Sequence, residues 1–441
     1  MDAIYSGISK SAALFERAKS VLPGGCSRNT ILRKPHPIYV ERGRGCYVYD
    51  VEGVRRIDFA NNVASLIHGH AHPPIIAAVS EQLRKGTAFT VGTEAEIDYA
   101  EYICSRNPAF ERIRFVNSGT EAVMASLKAA RAFTRRPKIA KVEGAYHGLY
   151  DYAEASQTAK PDSWGQADRP SSVAVSRGTP QRVLDDVVVI PFNDVQRGLK
   201  ILDEHRDQLA CVLVDVLPHR IGVIQAAEDF VRALRRWTEQ NGALLVFDEV
   251  ITFRSKFGGA QQWYDVQPDI TALGKMIGGG FPVGGIAGCA DVMEVLNPLN
   301  GPAPFPLSGT FSANPITMIA GLTAMKLYHR EAVEKLNALG ERARSSIGEA
   351  IRIADVPACV TGRGSMFRIH LCADAPENYR QAYLSPEKAA LLSAFVGHLF
   401  DGGLLMVETG TGFLSTAMSD QDIDDMAAVV LVALRKIKPY L

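Results

Sequence analysis

The chain alternates between short, mostly apolar runs and longer segments with helical periodicity. Five such runs end in turn or polar residues, at positions 113–116, 139–142, 187–190, 211–214 and 243–247, and two of them include one basic residue, Arg114 or Lys141. Such runs are typical of strands that are buried on both faces of a parallel sheet. Helical patterns lie between them, as at 120–135 and 227–240. The sequence therefore predicts a βα sheet covered by helices, with ligands bound beyond the carboxyl ends of its strands.

The pattern changes after residue 313. Long helical stretches at 315–353 precede a strand-like run at 366–370 and a last helical pattern at 420–436, while the opening residues hold candidate strands at 39–40 and 47–49. We expect an N-terminal segment, 1–60, that joins a C-terminal small domain, 315–441, with a large domain between them at 61–314. Residues 151–180 have little periodicity and are interpreted as a lid or a disordered loop.

Composition narrows the class of protein. The chain has 441 residues, 47% hydrophobic and 22% charged, with 48 basic and 48 acidic side chains, so no basic excess favours a nucleic acid partner. Seven scattered cysteines without a Cys-x-x-Cys pair indicate reduced thiols and no zinc site. No apolar run reaches about 18 residues, and no secretory leader pattern opens the chain. A cytoplasmic enzyme without a membrane partner is expected.

A first candidate for chemistry is the turn Asn117, Ser118, Gly119, Thr120 and Glu121, which runs from an apolar strand into a helical pattern. Free N–H groups at a helix N-terminus, helped by two hydroxyls, form a cradle for phosphate. Ser118 or Thr120 could equally be a plain helix cap. The turn alone leaves both interpretations open.

A second candidate is Asp248, which follows the apolar run 243–247 and precedes Glu249. A buried acid is costly to keep charged unless a cation meets it, and a protonated pyridine nitrogen is one such cation. A capping or salt-bridged acid is the alternative. Asp248 is the better candidate, because Glu249 could instead orient its neighbours.

A third candidate is Lys275, which closes the apolar segment 269–274 and precedes Gly278, Gly279 and Gly280. Loss of water around its ammonium would lower the pKa of Lys275, as bond formation with an aldehyde requires. The glycines would let the backbone approach a bulky ligand. The alternative is a surface lysine before a flexible turn.

These motifs carry a family resemblance from about residue 23 to the C-terminus. Seven stretches match in family order: 23–25, 69–73, 117–121, 144–148, 247–250, 274–275 and 308–311. The chain resembles the class III aminotransferases among the fold type I pyridoxal phosphate enzymes, and within them the glutamate-1-semialdehyde aminomutases and β-amino-acid aminotransferases. The resemblance implies an α/β fold with a mostly parallel sheet in the large domain and a smaller α+β domain from both termini.

The resemblance also implies roles for individual residues around pyridoxal 5′-phosphate. Lys275 would carry the cofactor as a Schiff base and move the substrate proton, and Asp248 would keep the ring nitrogen protonated. The remaining residues implied to bind the cofactor are the phosphate turn Ser118, Gly119 and Thr120, the stacking pair Tyr146 and His147, and Thr310, which would reach the neighbouring subunit's phosphate. A homodimer with a shared site would follow. Of the alternating histidines at 68, 70 and 72, two lie in the family's turn at 69–73, so no metal is expected.

Several positions depart from the family pattern. Its usual amide partner for the cofactor's 3-hydroxyl is missing from 214–220, so His219, Arg220 or water would take that place. Arg28 lies where these families place a carboxylate-binding arginine, although a solvated arginine is the alternative. The active-site tryptophan of the aminomutases corresponds to Val63, and their usual acid is missing from 409–413.

These departures favour an aminotransferase that moves an amino group to a keto acid from an amine or an amino acid, β-amino acids included. Three alternatives stay open: glutamate-1-semialdehyde aminomutase, a racemase or decarboxylase on the same scaffold, and a non-catalytic protein that binds pyridoxal phosphate. The expected partners are the small-molecule amino donor and the keto-acid acceptor.

Overall fold

A seven-stranded sheet forms the centre of the computed structural model, which describes residues 9–441. Residues 1–8 of the predicted segment 1–60 lie outside the described residues. The sheet order is β4-β12-β11-β10-β9-β5-β8. Its strands are β4 (Arg112–Val116), β5 (Lys138–Val142), β8 (Val187–Ile190), β9 (Leu209–Val214), β10 (Leu244–Asp248), β11 (Ile270–Gly274) and β12 (Gly284–Gly288).

Six of these strands run parallel, and β12 alone runs antiparallel to its neighbours β11 and β4. Its glycines allow the neighbouring backbones to approach closely. A Cβ at Gly284 would clash with the Ser118 carbonyl, and one at Gly288 would clash with the Asp269 carbonyl. The carboxyl ends of the six parallel strands consequently meet at one edge of the sheet.

Helices cover both faces of the sheet and continue into the C-terminal part of the chain. Among residues 9–441 they are α1 (Lys10–Lys19), α2 (Asn61–Ala64), α3 (Pro73–Lys85), α4 (Glu94–Arg106), α5 (Gly119–Thr134), α6 (Asp151–Glu154), α7 (Gln181–Asp185), α8 (Val195–Glu204), α9 (Glu228–Asn241), α10 (Ala290–Met293), α11 (Pro315–Leu327), α12 (Arg330–Ala354), α13 (Tyr379–Ala382), α14 (Pro386–Asp401) and α15 (Asp420–Ile437). Small side chains on α5 are fully buried in one of the apolar clusters that the sheet helps to form.

Smaller sheets join distant parts of the chain. The N-terminal strands β1 (Val40–Arg44), β2 (Tyr47–Asp50) and β3 (Arg55–Asp58) pair with the C-terminal strand β15 (Leu404–Leu405). The strands β13 (Cys359–Thr361), β14 (Met366–His370) and β16 (Thr411–Phe413) form a second sheet, and β6 (Gly165–Gln166) with β7 (Arg169–Pro170) forms a hairpin. Both ends of the chain therefore share a sheet.

The structure agrees with the predicted strands and corrects two other predictions. Residues 151–180 are not a structureless loop, since they contain α6 and the β6–β7 hairpin. The helical stretch at 315–353 is two helices, which end and begin around Tyr328 and His329. The strand β12 and the helix α14 were not predicted. The domain boundaries stay a prediction, and no described helix is both long enough and apolar enough to span a membrane.

Candidate active site

The ends of the parallel strands converge on one cavity of about 600 Å³, which is within the usual range for small-molecule sites. Residues after β4, β5, β9, β10 and β11 contribute to its wall, as the topology predicts. Predicted residues that line it are Arg28, Val63, Ser118, Gly119, Thr120, Tyr146, His147, His219, Asp248 and Lys275.

The turn after β4 provides free backbone donors at the cavity. Ser118 caps α5, because its hydroxyl accepts from the Glu121 N–H at 3.1 Å, and the Glu121 carboxylate in turn accepts from the Asn117 N–H at 2.7 Å. The next two N–H groups, of Gly119 and Thr120, stand at the first helical positions, where no intrahelical acceptor exists. Ser118 is therefore a helix cap, and the N–H groups of Gly119 and Thr120 remain available to an anion, whose binding stays a prediction.

Two glycines are required by close packing at this turn. A Cβ on Gly119 would lie 2.8 Å from Cγ1 of Val250. Gly148 has a φ of +92°, and its Cβ would lie 2.6 Å from the Thr120 hydroxyl. Larger residues at either position would displace the turn that carries the N–H donors.

Asp248 presents a buried carboxylate to the cavity. One oxygen accepts from the Val250 N–H at 3.0 Å, and the other lies 2.8 Å from Nδ1 of His147. Burial lowers the pKa of His147, so the ring is neutral and its Nδ1–H donates to the carboxylate. No lysine or arginine of the described chain makes a salt bridge with Asp248. The carboxylate is thus fixed in direction and still able to pair with a cation in the cavity.

Lys275 follows β11 with a left-handed backbone, at a φ of +50°. The β11 end places its side chain on the wall that Asp248 also lines. Desolvation lowers the pKa of Lys275, while the charges of Asp248 and Asp215 act in the opposite direction. The amine is therefore closer to its neutral, nucleophilic form than a lysine in water.

Tyr146 and His219 pack edge to face in the cavity wall. Their ring centroids are 5.6 Å apart with an interplanar angle of 73°, and the Arg220 guanidinium lies 5.1 Å from the Tyr146 ring. Burial and the neighbouring cations Lys275 and Arg220 lower the pKa of His219 to about 3, so its ring is neutral. Of the two candidates for the missing amide, His219 lines the cavity and Arg220 does not.

Arg28 lines the cavity from the N-terminal part of the chain. Its Nη1 donates to Oδ1 of Asn62 at 2.8 Å, and its charge contributes to lowering the pKa of Lys275. Asn62 and Val63 belong to α2, whose four residues all have positive φ between 46° and 70°. This turn is therefore left-handed, and its side chains form part of the cavity wall.

Thr310 lies apart from the residues that line the cavity, and several residues of the cavity wall were not predicted from the sequence. Thr310 is exposed and does not line the cavity of its own chain. The missed wall residues include Asn62, Ser65, Phe281 and Val283. The only signal for them was the Gly278 to Gly280 run before Phe281.

The histidines at 68 and 70 have partners within the chain. His68 lies 2.8 Å from the Thr416 hydroxyl and 2.9 Å from the Ala324 carbonyl. His70 lies 2.8 Å from the Asp58 carboxylate. Within residues 9–441 no group of three or more histidine, cysteine or acidic side chains is arranged to hold a metal ion.

The donor set fits a phosphorylated, cationic aromatic aldehyde. A fixed carboxylate without a cationic partner at Asp248, an amine with a lowered pKa at Lys275 and unpaired helix N–H groups at Gly119 and Thr120 all line one cavity. These groups would meet a ring nitrogen, an aldehyde and a phosphate respectively. Pyridoxal 5′-phosphate carries all three.

Comparisons with known proteins agree with this chemistry. The family model described as Aminotransferase class-III matches residues 31–428. The crystal structure of an omega-transaminase from Sphaerobacter thermophilus is 45% identical, with a TM-score of 0.95 and 99% of each chain covered. A β-phenylalanine aminotransferase from Variovorax paradoxus is 33% identical, with a TM-score of 0.85 over 96% of this chain and 93% of that one. A glutamate-1-semialdehyde 2,1-aminomutase from Methanothermobacter thermautotrophicus is 39% identical over 374 residues, covering 85% of this chain and 86% of the relative.

Proposed function

The chain belongs to the class III aminotransferase family, and on that premise we propose that it transfers an amino group from a carboxylate-bearing amine, such as a β-amino acid, to a keto acid. The resemblance inferred from the sequence, the fold type I architecture and the dependence on pyridoxal phosphate are confirmed. The donor class, the roles of individual residues and the assembly are proposals. The observation that carries them is the convergence of Lys275, Asp248, the phosphate turn and Arg28 on one cavity.

Each side chain of the site has a proposed task. Bound pyridoxal phosphate supplies an aldehyde and a ring that accepts electrons. Lys275 would hold the aldehyde at its amine and later move the substrate proton, for which a lowered pKa is suited. Asp248, oriented by His147, would hold the proton at the ring nitrogen. Tyr146 would pack against the ring, and the N–H groups of Gly119 and Thr120 would bind the phosphate.

Arg28 supports a donor that carries a carboxylate. A guanidinium that lines the cavity can bind a carboxylate through two parallel hydrogen bonds. The β-phenylalanine aminotransferase of 33% identity acts on a substrate of this kind by its name. We propose that the donor's carboxylate binds Arg28 while its amine faces Lys275.

Glutamate-1-semialdehyde aminomutase activity is the second candidate, because relatives of 35–39% identity bear that name. Val63 occupies the position at which the aminomutases have an active-site tryptophan, and this difference favours transamination here. The two reactions differ in stoichiometry. In transamination, one donor without an acceptor converts the cofactor once to its amine form and releases one equivalent of keto product.

The test is to incubate the holoenzyme with a β-amino acid, without a keto acid, and to follow cofactor absorbance and product. A single stoichiometric conversion, reversed by pyruvate or 2-oxoglutarate, supports the proposal. Continuous isomerisation of glutamate-1-semialdehyde without a second substrate would support the aminomutase. Racemised or decarboxylated product without net conversion of the cofactor would support the third alternative, and no reaction with any donor would leave the non-catalytic alternative.

We further propose a homodimer whose site is shared. Thr310 lies outside its own cavity and is exposed, as is Phe311 next to it, so a second copy could contact this segment. Thr310 would then reach the partner's phosphate site. Mixing inactive Lys275→Ala with a Thr310→Val variant tests this, because hybrid dimers would regain one complete site. Light scattering that finds a fully active monomer would refute it.

We also propose that the enzyme acts in the cytoplasm. All seven cysteines are free thiols in the structure, which agrees with a reducing compartment. Fractionation of the source cells with activity measurements would test this, and activity confined to an extracellular or periplasmic fraction would refute it.

A further inference from the structure

The turn α2 has an unusual, left-handed backbone conformation in the cavity wall. Left-handed helical geometry costs roughly 1–2 kcal/mol per residue for most L-amino acids and is adopted most readily by glycine and asparagine. Here it includes Val63, whose branched Cβ makes it unfavourable, and Ala64. Strain of this kind persists only where the surroundings enforce it, and it is concentrated at functional sites.

Buried contacts enforce the turn from both sides. The Asn61 N–H donates to the Asp58 carboxylate at 2.9 Å, and the Asn61 amide donates to the Phe413 carbonyl on β16 at 2.5 Å. Asn61 and Ala64 are almost fully buried, whereas Asn62 is exposed and points to the cavity. The buried residues thus fix the backbone, and the exposed side chain of Asn62 lines the cavity.

Hydrogen bonds define the orientation of the Asn62 amide. Its Nδ2 donates to the Ser65 hydroxyl at 3.0 Å, and that hydroxyl donates to the Asn62 carbonyl at 3.0 Å. With the amide nitrogen engaged, Oδ1 faces Arg28 and accepts from its Nη1 at 2.8 Å. The guanidinium is therefore held by one nitrogen, which leaves its Nε and Nη2 edge available for a bidentate carboxylate.

We propose that Asn62 is a positioning residue that determines the preference for carboxylate-bearing donors, by fixing Arg28 with the Nε and Nη2 edge toward the cavity. This inference rests on the proposed role of Arg28. An arginine side chain loses considerable rotamer freedom when it is held in one geometry, and Asn62 holds it before the substrate arrives. Asn62 touches neither the cofactor nor the reacting atoms in this proposal, because it acts through Arg28.

The test compares a β-amino acid donor with the amine of the same carbon skeleton that lacks the carboxylate, and it uses the ratio of their kcat/KM values. Asn62→Gly removes the amide while keeping a residue that tolerates positive φ. We expect the ratio to fall about three- to tenfold, the effect of one lost hydrogen bond, mainly through KM of the β-amino acid. Asn193→Gly is the matched control, since Asn193 has a φ of 59° and lies outside the cavity.

Asn62→Asp separates positioning from mere packing. The carboxylate keeps an acceptor beside Arg28 but repels the donor's carboxylate, so the ratio should fall further than in Asn62→Gly and recover partly at high salt. In an Arg28→Ala background, Asn62→Gly should change the ratio no further. An undiminished effect in that background would overturn the proposal.

Two other outcomes separate the role of Asn62 from the role of Arg28. If Arg28→Ala lowers the ratio but Asn62→Gly does not, Asn62 has no positioning role and the proposed function stands. If Arg28→Ala leaves the ratio unchanged, both the role of Arg28 and the role of Asn62 are refuted. Measured urea midpoints for each variant identify any loss of folding that lowers activity toward both donors alike.

Discussion

The hydrogen bond between His147 and Asp248 offers a quantitative test of how the site binds its cofactor. The two side chains are 2.8 Å apart and almost fully buried. His147→Leu removes the donor, so the buried carboxylate loses a partner of its charged form. The carboxylate then lacks the contact that fixes its direction, so it pairs less favourably with a ring cation.

The expected magnitude follows from the bond that is lost. A hydrogen bond to a charged group contributes about 1.5–3 kcal/mol, so the dissociation constant of pyridoxal phosphate should rise about ten- to hundredfold. His147→Asn is the matched control, because its amide N–H can replace Nδ1–H. The other ring nitrogen, Nε2, has no hydrogen-bond partner in the structure, so asparagine loses no second contact.

Equilibrium dialysis of the apo-proteins against pyridoxal phosphate measures these affinities. A double-mutant cycle with Asp248→Ala isolates the pair, since His147→Leu should have almost no further effect once the carboxylate is absent. Equal effects of His147→Leu in both backgrounds would show that the His147–Asp248 hydrogen bond does not contribute to cofactor binding. So would a His147→Asn variant as weak as His147→Leu.

Three further predictions concern residues near the same wall. The pKa of Lys275 is lowered from 10.5, so its amine becomes neutral at a lower pH than the amine of a free lysine. The rate of cofactor uptake by the apo-protein should therefore rise with pH and level off below pH 10.5. A rate from stopped-flow absorbance that still rises at pH 10.5 contradicts this prediction. Lys141 is buried and donates to the carbonyls of Ala145, Ala153 and Ala155, so Lys141→Met should destabilise the protein by about 3 kcal/mol or more. The control is Lys138→Met on the same strand, since Lys138 is half-buried and donates to one carbonyl only. A melting temperature of Lys141→Met equal to that of this control refutes the prediction. Gly119→Ala should weaken cofactor binding, because the added Cβ would lie 2.8 Å from Val250. Fluorescence titration should show that the affinity recovers partly when Gly119→Ala is combined with Val250→Ala. Equal affinity of Gly119→Ala and the parent protein would contradict this prediction.

The sequence predicted those parts of the site that follow buried strands. The run 243–247 identifies a strand that is buried on both faces, and 113–116 identifies a strand at the edge of the sheet that is buried only toward its end. The polar residues that follow these runs, Ser118 and Asp248, must then lie at one edge of the sheet. Lys275 follows the same logic. The family resemblance added roles but did not alter these positions.

Other features depend on tertiary contacts that no local pattern reveals. The strand β12 is rich in glycine and contains only one of the β-branched residues that usually indicate a strand, Ile286. The left-handed turn α2 results from the contacts of Asn61 with Asp58 and with Phe413. Phe413 is far from Asn61 in the sequence, so this contact has no local signal. Lys141 lies within the predicted strand 139–142, but no local pattern predicts the three carbonyls that accept from its buried ammonium.

Reductive trapping tests whether Lys275 forms a bond to the cofactor. Holoenzyme would be treated with sodium borohydride, digested and analysed by mass spectrometry, with Lys275→Ala treated in parallel. We predict one phosphopyridoxyl group per chain, on Lys275, and none in the variant. A label on another lysine, or an equal label in the Lys275→Ala variant, would contradict the account.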